Sequence, residues 1–216
     1  MTDMIDMNHP VVPTRIFCVG LNYTEHTKEM GNALPSEPVI FMKPATSLVA
    51  VGEPLKLPKD QGSVHHEMEL VVTIGEQGAD IPLETALGYV AGVTLGIDLT
   101  LRDVQSQLKK SGQPWELSKS FDGSAVIGKF MAWPAQSDIQ NIDMRCTVNG
   151  KLRQQGNTRE MLFPVIKIIV FLSRHWRLLP NDLIYTGTPA GVGPLVAGDR
   201  IEIESPQIGR FSWDVI

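Results

Sequence analysis

Prolines divide the chain between residues 35 and 58 into short pieces. Five of them fall in this stretch, at Pro35, Pro38, Pro44, Pro54 and Pro58. Because proline has no N–H to donate and its ring clashes with the preceding helical turn, no long helix can form here. The whole chain carries 19 glycines and 15 prolines among its 216 residues, so turns are frequent throughout. We therefore expect a mixed α+β, β-rich fold with a few short helices and one main packed helix.

Composition and charge limit the class of protein. Hydrophobic residues make up 43% of the chain and charged residues 20%, as in ordinary globular proteins, which excludes a disordered chain. The 24 acidic and 19 basic residues are mixed along the sequence and give a formal net charge of -5. Binding to a phosphate backbone needs a basic patch, so we expect no nucleic-acid partner.

The sequence also bears on membranes and on the cell compartment. The most apolar stretch, Met161 to Trp176, is interrupted by Lys167 and Arg174. It is shorter than the roughly 20 apolar residues that a membrane span needs, so no membrane association is expected. The start of the chain, MTDMIDMNHP, has neither the basic nor the apolar region of a signal peptide, and the two cysteines lie far apart. We expect a cytoplasmic protein.

Apolar runs and their stop signals predict an order of strands and helices. Strands are expected in RIFCVGLNY from Arg15, in VIFMK, in EMELVVTI and in AGVTLGIDLTL, and Asn149-Gly150 predicts a hairpin. Helices are expected in TEHTKEMGN, at Leu83 to Val90 and in RDVQSQLKK. The main packed helix should begin at a Thr158 cap and continue through MLFPVIKIIVFLSRHW.

Three acidic residues form the most informative cluster. Glu67 and Glu69 lie two positions apart in a predicted strand, so their side chains project to one face about 7 Å apart. Asp98 stands in the apolar run VTLGIDLTL, where an isolated buried charge would cost several kcal/mol. Three oxygen donors favour Mg²⁺ or Mn²⁺ over Zn²⁺, which prefers nitrogen and sulfur. The pattern predicts a magnesium or manganese site.

Two structural alternatives explain the same acids without a metal. Glu67 and Glu69 also suit a solvated strand face, because two acids at this spacing are common in strands. Arg102 follows Asp98 by four residues, and a plain salt bridge between the two would satisfy the buried charge.

A second cluster pairs a histidine with an acid. His26 and Glu29 are three residues apart on the short predicted helix, so the carboxylate can reach the imidazole and raise its basicity. Such a pair can activate water. An ordinary polar face of a surface helix is the alternative.

The glycine-rich segment TGTPAGVG, Thr186 to Gly193, has the spacing of neither a dinucleotide-binding loop nor a P-loop. It could bring backbone amides and the Thr188 hydroxyl to an anionic ligand, or it could be a tight turn. Lys43 and Lys119 lie among apolar or small residues, where a carboxylate substrate could use their charge.

Together these segments resemble the fumarylacetoacetate hydrolase family, in particular the small single-domain members that act on acylpyruvates and oxaloacetate. The matching motifs run in order through almost the whole chain: GLNYTEHTKEMG, EPVIFMKPATSL, GSVHHEMELVVTIG, GIDLTLRDVQ, GQPWELSKSFDG, VNGKLRQQGNT and LIYTGTPAGVGPL. The resemblance implies a β-roll like the fumarylacetoacetase C-terminal domain, with an N-terminal segment over residues 1–14 and a single catalytic domain over residues 15–216. It also implies a homodimer.

The resemblance further implies a role for each residue of the predicted site. The metal, Mg²⁺ or Mn²⁺, would be held by Glu67, Glu69 and Asp98. The catalytic residues would be His26, Glu29 and Lys119, with the first two activating water. Substrate-binding roles are expected for Lys43, Arg102, Gln105 and Thr188.

These expectations predict a metal-dependent enzyme of small 2-oxo acids. The first candidate is a hydrolase that cleaves the C–C bond of acylpyruvates to pyruvate and a carboxylic acid, through an enolate held at the metal. The alternatives are oxaloacetate decarboxylation, keto–enol tautomerisation, and isomerisation or decarboxylation of an unsaturated 2-oxo diacid. A metal-binding protein without turnover belongs to another class, and the complete set of acids together with the His26–Glu29 pair argues against it.

Overall fold

The computed structural model describes residues 13, 15–29, 31, 33–134 and 137–216. Apart from residue 13, the N-terminal segment 1–14 lies outside the described residues, and so does Asn32, one of the two stop signals for the first helix. The boundary between segment and domain therefore stays a prediction.

Strands predominate among the described residues, and the helices are short. The helices are α1 (Thr24–Glu29), α2 (Arg102–Lys110), α3 (Glu116–Lys119) and α4 (Val165–His175). The strands are β1 (Ile16–Gly20), β2 (Val39–Lys43), β3 (Leu48–Ala50), β4 (Val64–His66), β5 (Met68–Ile74), β6 (Val90–Asp98), β7 (Thr100–Leu101), β8 (Ala125–Ile127), β9 (Met131–Ala132), β10 (Asp143–Val148), β11 (Lys151–Asn157), β12 (Leu183–Tyr185), β13 (Gly193–Leu195), β14 (Arg200–Ser205) and β15 (Gly209–Asp214).

The strands form three sheets in the described part of the chain. The largest has the order β2-β1-β12-β5-β6-β8-β3, with β9 paired to β6, and the others have the orders β11-β10-β14-β15 and β13-β4-β7. Every residue of β5 is buried, as is β6 from Val93 onward, so these two strands form the centre of the core. The mixed α+β, strand-rich fold expected from the sequence is confirmed.

The main packed helix is present but begins later than predicted. Helix α4 starts at Val165, and Thr158 belongs to a separate 3-10 turn, Thr158–Glu160. Pro164 is extended (ψ 153°) and forms the N-cap of α4, because a proline cannot donate within a helix and disfavours helical backbone in the residue before it. The buried residues at helical spacing, Val165, Ile168, Ile169 and Leu172, face the core as expected.

Of two further local predictions, one is confirmed and the other is wrong. Asn149 and Gly150 both have positive φ (52° and 73°) and join β10 to β11, as the hairpin signal predicted. The helix predicted for Leu83 to Val90 is wrong, since only a 3-10 turn at Ala86–Tyr89 forms before β6 begins. Gly88 lies inside this segment and lowers its helix propensity.

The helices of the described region are too short to cross a membrane as a single apolar span.

Candidate active site

The three acids of the predicted metal site come together where β5 and β6 pair. Glu69 lies on β5 opposite Gly96 of β6, and the backbone N–H of Asp98 donates to the carbonyl of Glu67 (2.8 Å). One carboxylate oxygen from each acid lies within 4.8 Å of those of the other two. The three residues are 4%, 2% and 1% exposed in chain order, so a solvated strand face is excluded.

Glu67 reaches the site from a position that the sequence pattern did not predict. It occupies the single-residue break between β4 and β5, and the strand begins only at Met68. The i, i+2 spacing still brings Glu67 and Glu69 together. Because Glu67 lies outside the regular strand, however, the alternation of the strand does not fix the direction of its side chain. The expectation of two ligands on one regular strand is corrected in this respect.

Three cations surround two of the acids. Lys119 Nζ donates to Glu67 Oε2 (2.7 Å), Asp98 Oδ2 (2.7 Å) and the Thr100 hydroxyl (2.6 Å). Arg102 donates to Glu67 Oε1. Lys43 Nζ lies 2.8 Å from Asp98 Oδ1 as an ion pair. The Asp98–Arg102 salt bridge considered from the sequence is therefore absent, since Arg102 pairs with Glu67 and Asp98 pairs with the two lysines.

The cations leave Glu69 as the least compensated acid. Its Oε2 accepts a hydrogen bond from Gly187 N (2.7 Å), and among the described residues no lysine or arginine forms an ion pair with it. Burial, together with the carboxylates of Asp98 and Glu67, raises the pKa of Glu69 well above its usual range. Burial also opposes the charge of Glu67, but Lys119 and Arg102 hold its pKa well below the ordinary value.

The donor set fits a hard divalent cation. Asp98 Oδ1 is buried and, within the described structure, accepts no hydrogen bond beyond its ion-pair contact with Lys43. Burial and the neighbouring carboxylates disfavour the ionised form of Glu69 and raise its pKa, and a nearby positive charge would favour that form. Carboxylate oxygens are the ligands that Mg²⁺ and Mn²⁺ prefer. A divalent ion between the three acids would satisfy both groups.

The predicted histidine–acid pair is formed. His26 Nδ1 lies 3.3 Å from Glu29 Oε2, and Gly191 N donates to both oxygens of Glu29 (3.3 and 3.2 Å), which joins α1 to the glycine-rich segment. His26 is 5% exposed, and burial lowers its pKa despite the nearby Glu67 and Glu29. A neutral ring that donates from Nδ1 to Glu29 keeps Nε2 free to accept a proton.

A narrow cleft joins these groups. It is lined by eight of the ten predicted site residues: His26, Glu67, Glu69, Asp98, Arg102, Gln105, Lys119 and Thr188. Lys109, Phe41 and Trp115 also line it, together with the backbone segment Val19–Leu21. The two predicted residues that do not line the cleft are Glu29, which contacts His26, and Lys43.

Lys43 does not occupy the place expected of a substrate-binding residue. Its ammonium is fully buried and does not line the cleft, and it donates to the carbonyls of Leu99 (3.3 Å) and Lys119 and contacts Asp98. It therefore supports Asp98 and the chain at Lys119. Thr188 lines the cleft, but its hydroxyl already donates to Met68 O (2.8 Å) and accepts from Gln154 (2.7 Å).

Gln154 is a site residue that the sequence analysis missed. Its carbonyl oxygen accepts from Met68 N (3.0 Å) and contacts His66 Nδ1 (2.9 Å), while its amide nitrogen donates to Thr188 Oγ1 (2.7 Å) and Pro189 O (2.9 Å). It thus connects the start of β5 to the glycine-rich segment. Nothing in the run KLRQQGN marks one of its two glutamines as buried, so no sequence signal could have singled it out.

Comparison with known proteins agrees with this geometry. The family model described as Fumarylacetoacetate (FAA) hydrolase C-terminal matches residues 15–216. The oxaloacetate tautomerase YcgM of Escherichia coli (strain K12) is 44% identical over 198 residues, which cover 91% of this chain and 90% of that protein.

Two solved structures extend the comparison to three dimensions. A crystal structure from Oleispira antarctica has a TM-score of 0.91 at 44% identity and covers 96% of each chain. The fumarylpyruvate hydrolase of Pseudomonas aeruginosa, solved in complex with Mn²⁺ and pyruvate, has a TM-score of 0.90 at 38% identity, covering 94% of this chain and 90% of that one.

Proposed function

Because the chain belongs to the fumarylacetoacetate hydrolase family, we propose that it is a divalent-metal-dependent enzyme whose main reaction is the keto–enol tautomerisation of oxaloacetate. One observation carries the proposal: a buried histidine, neutral and oriented by Glu29, lines the same cleft as three converging carboxylates. This arrangement combines a metal site with a proton-transfer group. The similarity to the Escherichia coli tautomerase supports oxaloacetate as the substrate.

Glu67, Glu69 and Asp98 would hold the ion, which we propose to be Mg²⁺ or Mn²⁺. The oxygen donor set supports this choice, and the Pseudomonas aeruginosa relative was solved with Mn²⁺. When bound, the ion supplies Lewis-acid polarisation of a 2-oxo group and neutralises the adjacent carboxylate.

The residues of the chain would supply the proton transfer. Tautomerisation moves one proton between C3 and the oxygen on C2, and no bond between heavy atoms breaks. Burial favours the neutral form of His26, so its free Nε2 would take the proton from C3, Glu29 would stabilise the resulting imidazolium, and the imidazolium would return that proton to the oxygen on C2. Lys119 and Arg102 would place positive charge where the oxygens of the substrate gain negative charge.

Hydrolysis of acylpyruvates is the second candidate, favoured by the same His26–Glu29 pair. There His26 would deprotonate a water molecule that attacks the distal carbonyl, and cleavage would release a carboxylic acid and pyruvate. From the sequence alone, this reaction is the first expectation. The 44% identity to the Escherichia coli tautomerase supports tautomerisation as the first candidate, and the 38% identity to the fumarylpyruvate hydrolase supports hydrolysis as the second.

The two reactions are separated by parallel assays on the purified protein with Mn²⁺ or Mg²⁺. Loss of the ultraviolet absorbance of enol-oxaloacetate measures tautomerisation, and pyruvate release from acetylpyruvate measures hydrolysis. We expect kcat/KM to be higher for oxaloacetate. Higher kcat/KM for acetylpyruvate would favour the second candidate, and no turnover of either substrate with either metal would contradict both.

Decarboxylation of oxaloacetate is measured in the same samples as pyruvate release. It needs no base, so loss of His26 would spare it and would lower the other two activities. The homodimer and the cytoplasmic location stay predictions, and light scattering of the purified protein tests the first.

A further inference from the structure

One face of helix α2 lines the cleft along its whole length. Arg102, Gln105 and Lys109 are spaced i, i+3 and i+7, which places them on the same side of a helix. All three line the cleft. Arg102 donates to Glu67 and to Gln105 Oε1 (2.6 Å), so the first turn of the helix adjoins the carboxylate cluster. Lys109, about 10 Å further along the helix axis at 1.5 Å per residue, marks the opposite end.

Lys109 is a cation of the cleft that has no carboxylate partner among the described residues. Among the described residues no acid forms an ion pair with it, and its Nζ lies 4.8 Å from the centre of the Trp115 ring. It is about half buried, and burial together with the charge of Arg102 lowers its pKa. A lysine on an open protein surface extends its ammonium into water, whereas the ammonium of Lys109 lies over the Trp115 ring.

Trp115 gives this end of the cleft a fixed wall. Its ring packs against Phe41 at 5.9 Å between centroids. On another side it adjoins Gly20, where an added Cβ would lie 3.0 Å from the indole. The indole is therefore held by its neighbours, and it positions the ammonium of Lys109 by a cation–π contact.

The charges around the cleft suit a dianion. The acids Glu29, Glu67, Glu69 and Asp98 are matched in number by Lys43, Arg102, Lys109 and Lys119. A divalent cation at the carboxylate cluster would leave two positive charges to be neutralised. A 2-oxo acid with one carboxylate supplies one negative charge, and a 2-oxo diacid supplies both.

We propose that Lys109, held over Trp115, binds the distal carboxylate of the substrate and makes the cleft selective for 2-oxo dicarboxylic acids over 2-oxo acids with an uncharged tail. The inference rests on the proposed function and deepens it, because it names the residue that would recognise the second carboxylate of the substrate. The first carboxylate and the 2-oxo group would lie at the acid cluster, and the second carboxylate would lie in the cleft within reach of the Lys109 ammonium.

Binding tests this inference without any need for turnover. The probes are 2-oxoglutarate, a diacid, and 2-oxopentanoate, which has the same number of carbons but an uncharged end. Their dissociation constants are measured by calorimetry on the Mn²⁺-loaded protein, for the wild type and for Lys109→Met, with Lys109→Gln as a second variant. The matched control is Lys110→Met, since Lys110 is the exposed neighbour on the same helix.

We expect the wild type and Lys110→Met to bind 2-oxoglutarate at least tenfold more tightly than 2-oxopentanoate. Both Lys109 variants should lose most of that preference and keep their affinity for 2-oxopentanoate within about threefold, because a charge-assisted hydrogen bond is lost. A preference that survives in both variants, or a wild type that does not favour the diacid, overturns the inference.

Kinetics separates this inference from the proposed function. With oxaloacetate, Lys109→Met should raise KM about tenfold or more and change kcat little, because Lys109 would bind the ground state and the transition state alike and would take no part in the proton transfer. If the wild type shows the diacid preference in binding but no turnover, the proposed function fails and the distal subsite stands. If it turns over oxaloacetate but Lys109→Met leaves KM unchanged, the subsite fails and the proposed function stands.

Discussion

Gly187 donates its backbone N–H to Oε2 of Glu69 over 2.7 Å, and the two residues are 118 positions apart in the chain. Gly187 has a φ of +100°, and a Cβ at this position would lie 2.6 Å from the Cβ of Asn22. Only glycine can therefore bring its N–H so close to the acid. The glycine-rich segment thus serves a site acid and is more than a tight turn, one of the two readings that its sequence left open.

Replacing Glu69 by glutamine tests the metal site. The change keeps an acceptor for Gly187 N–H but removes the carboxylate that has no cation partner of its own. We expect Mn²⁺ affinity, measured by calorimetry, to fall at least about 100-fold and activity to fall with it. Thermal stability without metal should be maintained or increased, because the amide fills the same buried place and never has to carry a charge that burial and the neighbouring carboxylates disfavour. Glu76→Gln, at an exposed loop residue, is the control, and unchanged metal affinity in Glu69→Gln would remove Glu69 from the ligand set.

Replacing His26 by alanine tests the proton-transfer role. We expect kcat for tautomerisation to fall about 10²–10⁴-fold, the usual contribution of a positioned acid–base group, while Mn²⁺ affinity changes little. Glu29→Gln should cost less, because it disturbs the orientation of the ring and leaves the ring in place. His175→Ala removes an exposed histidine of α4 as the control. Retention of full activity in His26→Ala would refute the assigned role.

Removing the metal should destabilise the folded protein. A ligand at about 100 times its dissociation constant stabilises the native state by about 2.7 kcal/mol. We therefore expect chelation with EDTA to lower the Tm by several degrees and added Mn²⁺ or Mg²⁺ to restore it in a concentration-dependent way. Differential scanning fluorimetry measures the effect. Equal restoration in Glu69→Gln would show that the ion stabilises the protein at a different place.

Replacing Gln154 by leucine tests the connection between β5 and the glycine-rich segment. The substitution leaves Met68 N and Pro189 O without their partner, so we expect a loss of about 1–3 kcal/mol in the free energy of unfolding for each buried group left unpaired. Urea denaturation measures this. The exposed neighbour provides the control Gln155→Leu, which should change stability by less than about 0.5 kcal/mol.

Replacing Lys43 by methionine distinguishes a role in supporting Asp98 from a role in binding the substrate. If Lys43 supports Asp98, the change leaves a buried carboxylate with one cation fewer and costs about 3–5 kcal/mol in the metal-free protein, with partial recovery when Mn²⁺ is added. Lys56→Met changes an exposed lysine and is the control. A raised KM without loss of stability would instead return Lys43 to the substrate-binding role expected from the sequence.

Local sequence patterns determined most of the secondary structure. The period-2 run of β5, the apolar run of β6 and the Asn149-Gly150 turn all act through neighbours a few residues away, so their outcome can be predicted without the fold. The two errors have local causes as well. Pro164 delays the start of α4, and Gly88 weakens the helix expected before β6.

The sequence by itself also pointed to most of the residues that the structure brings together around the cleft. Asp98 stands out as an acid in an apolar run, whereas Glu67, Glu69 and the His26–Glu29 pair had ordinary structural alternatives and were selected through the family resemblance. The tertiary structure decided which of these groups form ion pairs and hydrogen bonds with one another. Arg102 forms its ion pair with Glu67, 35 residues away, and not with Asp98. Lys43 pairs with Asp98 and does not line the cleft. Gln154 could be recognised only from its hydrogen-bond partners in the folded chain. Ion pairs and hydrogen bonds between distant residues depend on distances of a few ångströms across the sheet, and no local period of the chain encodes those distances.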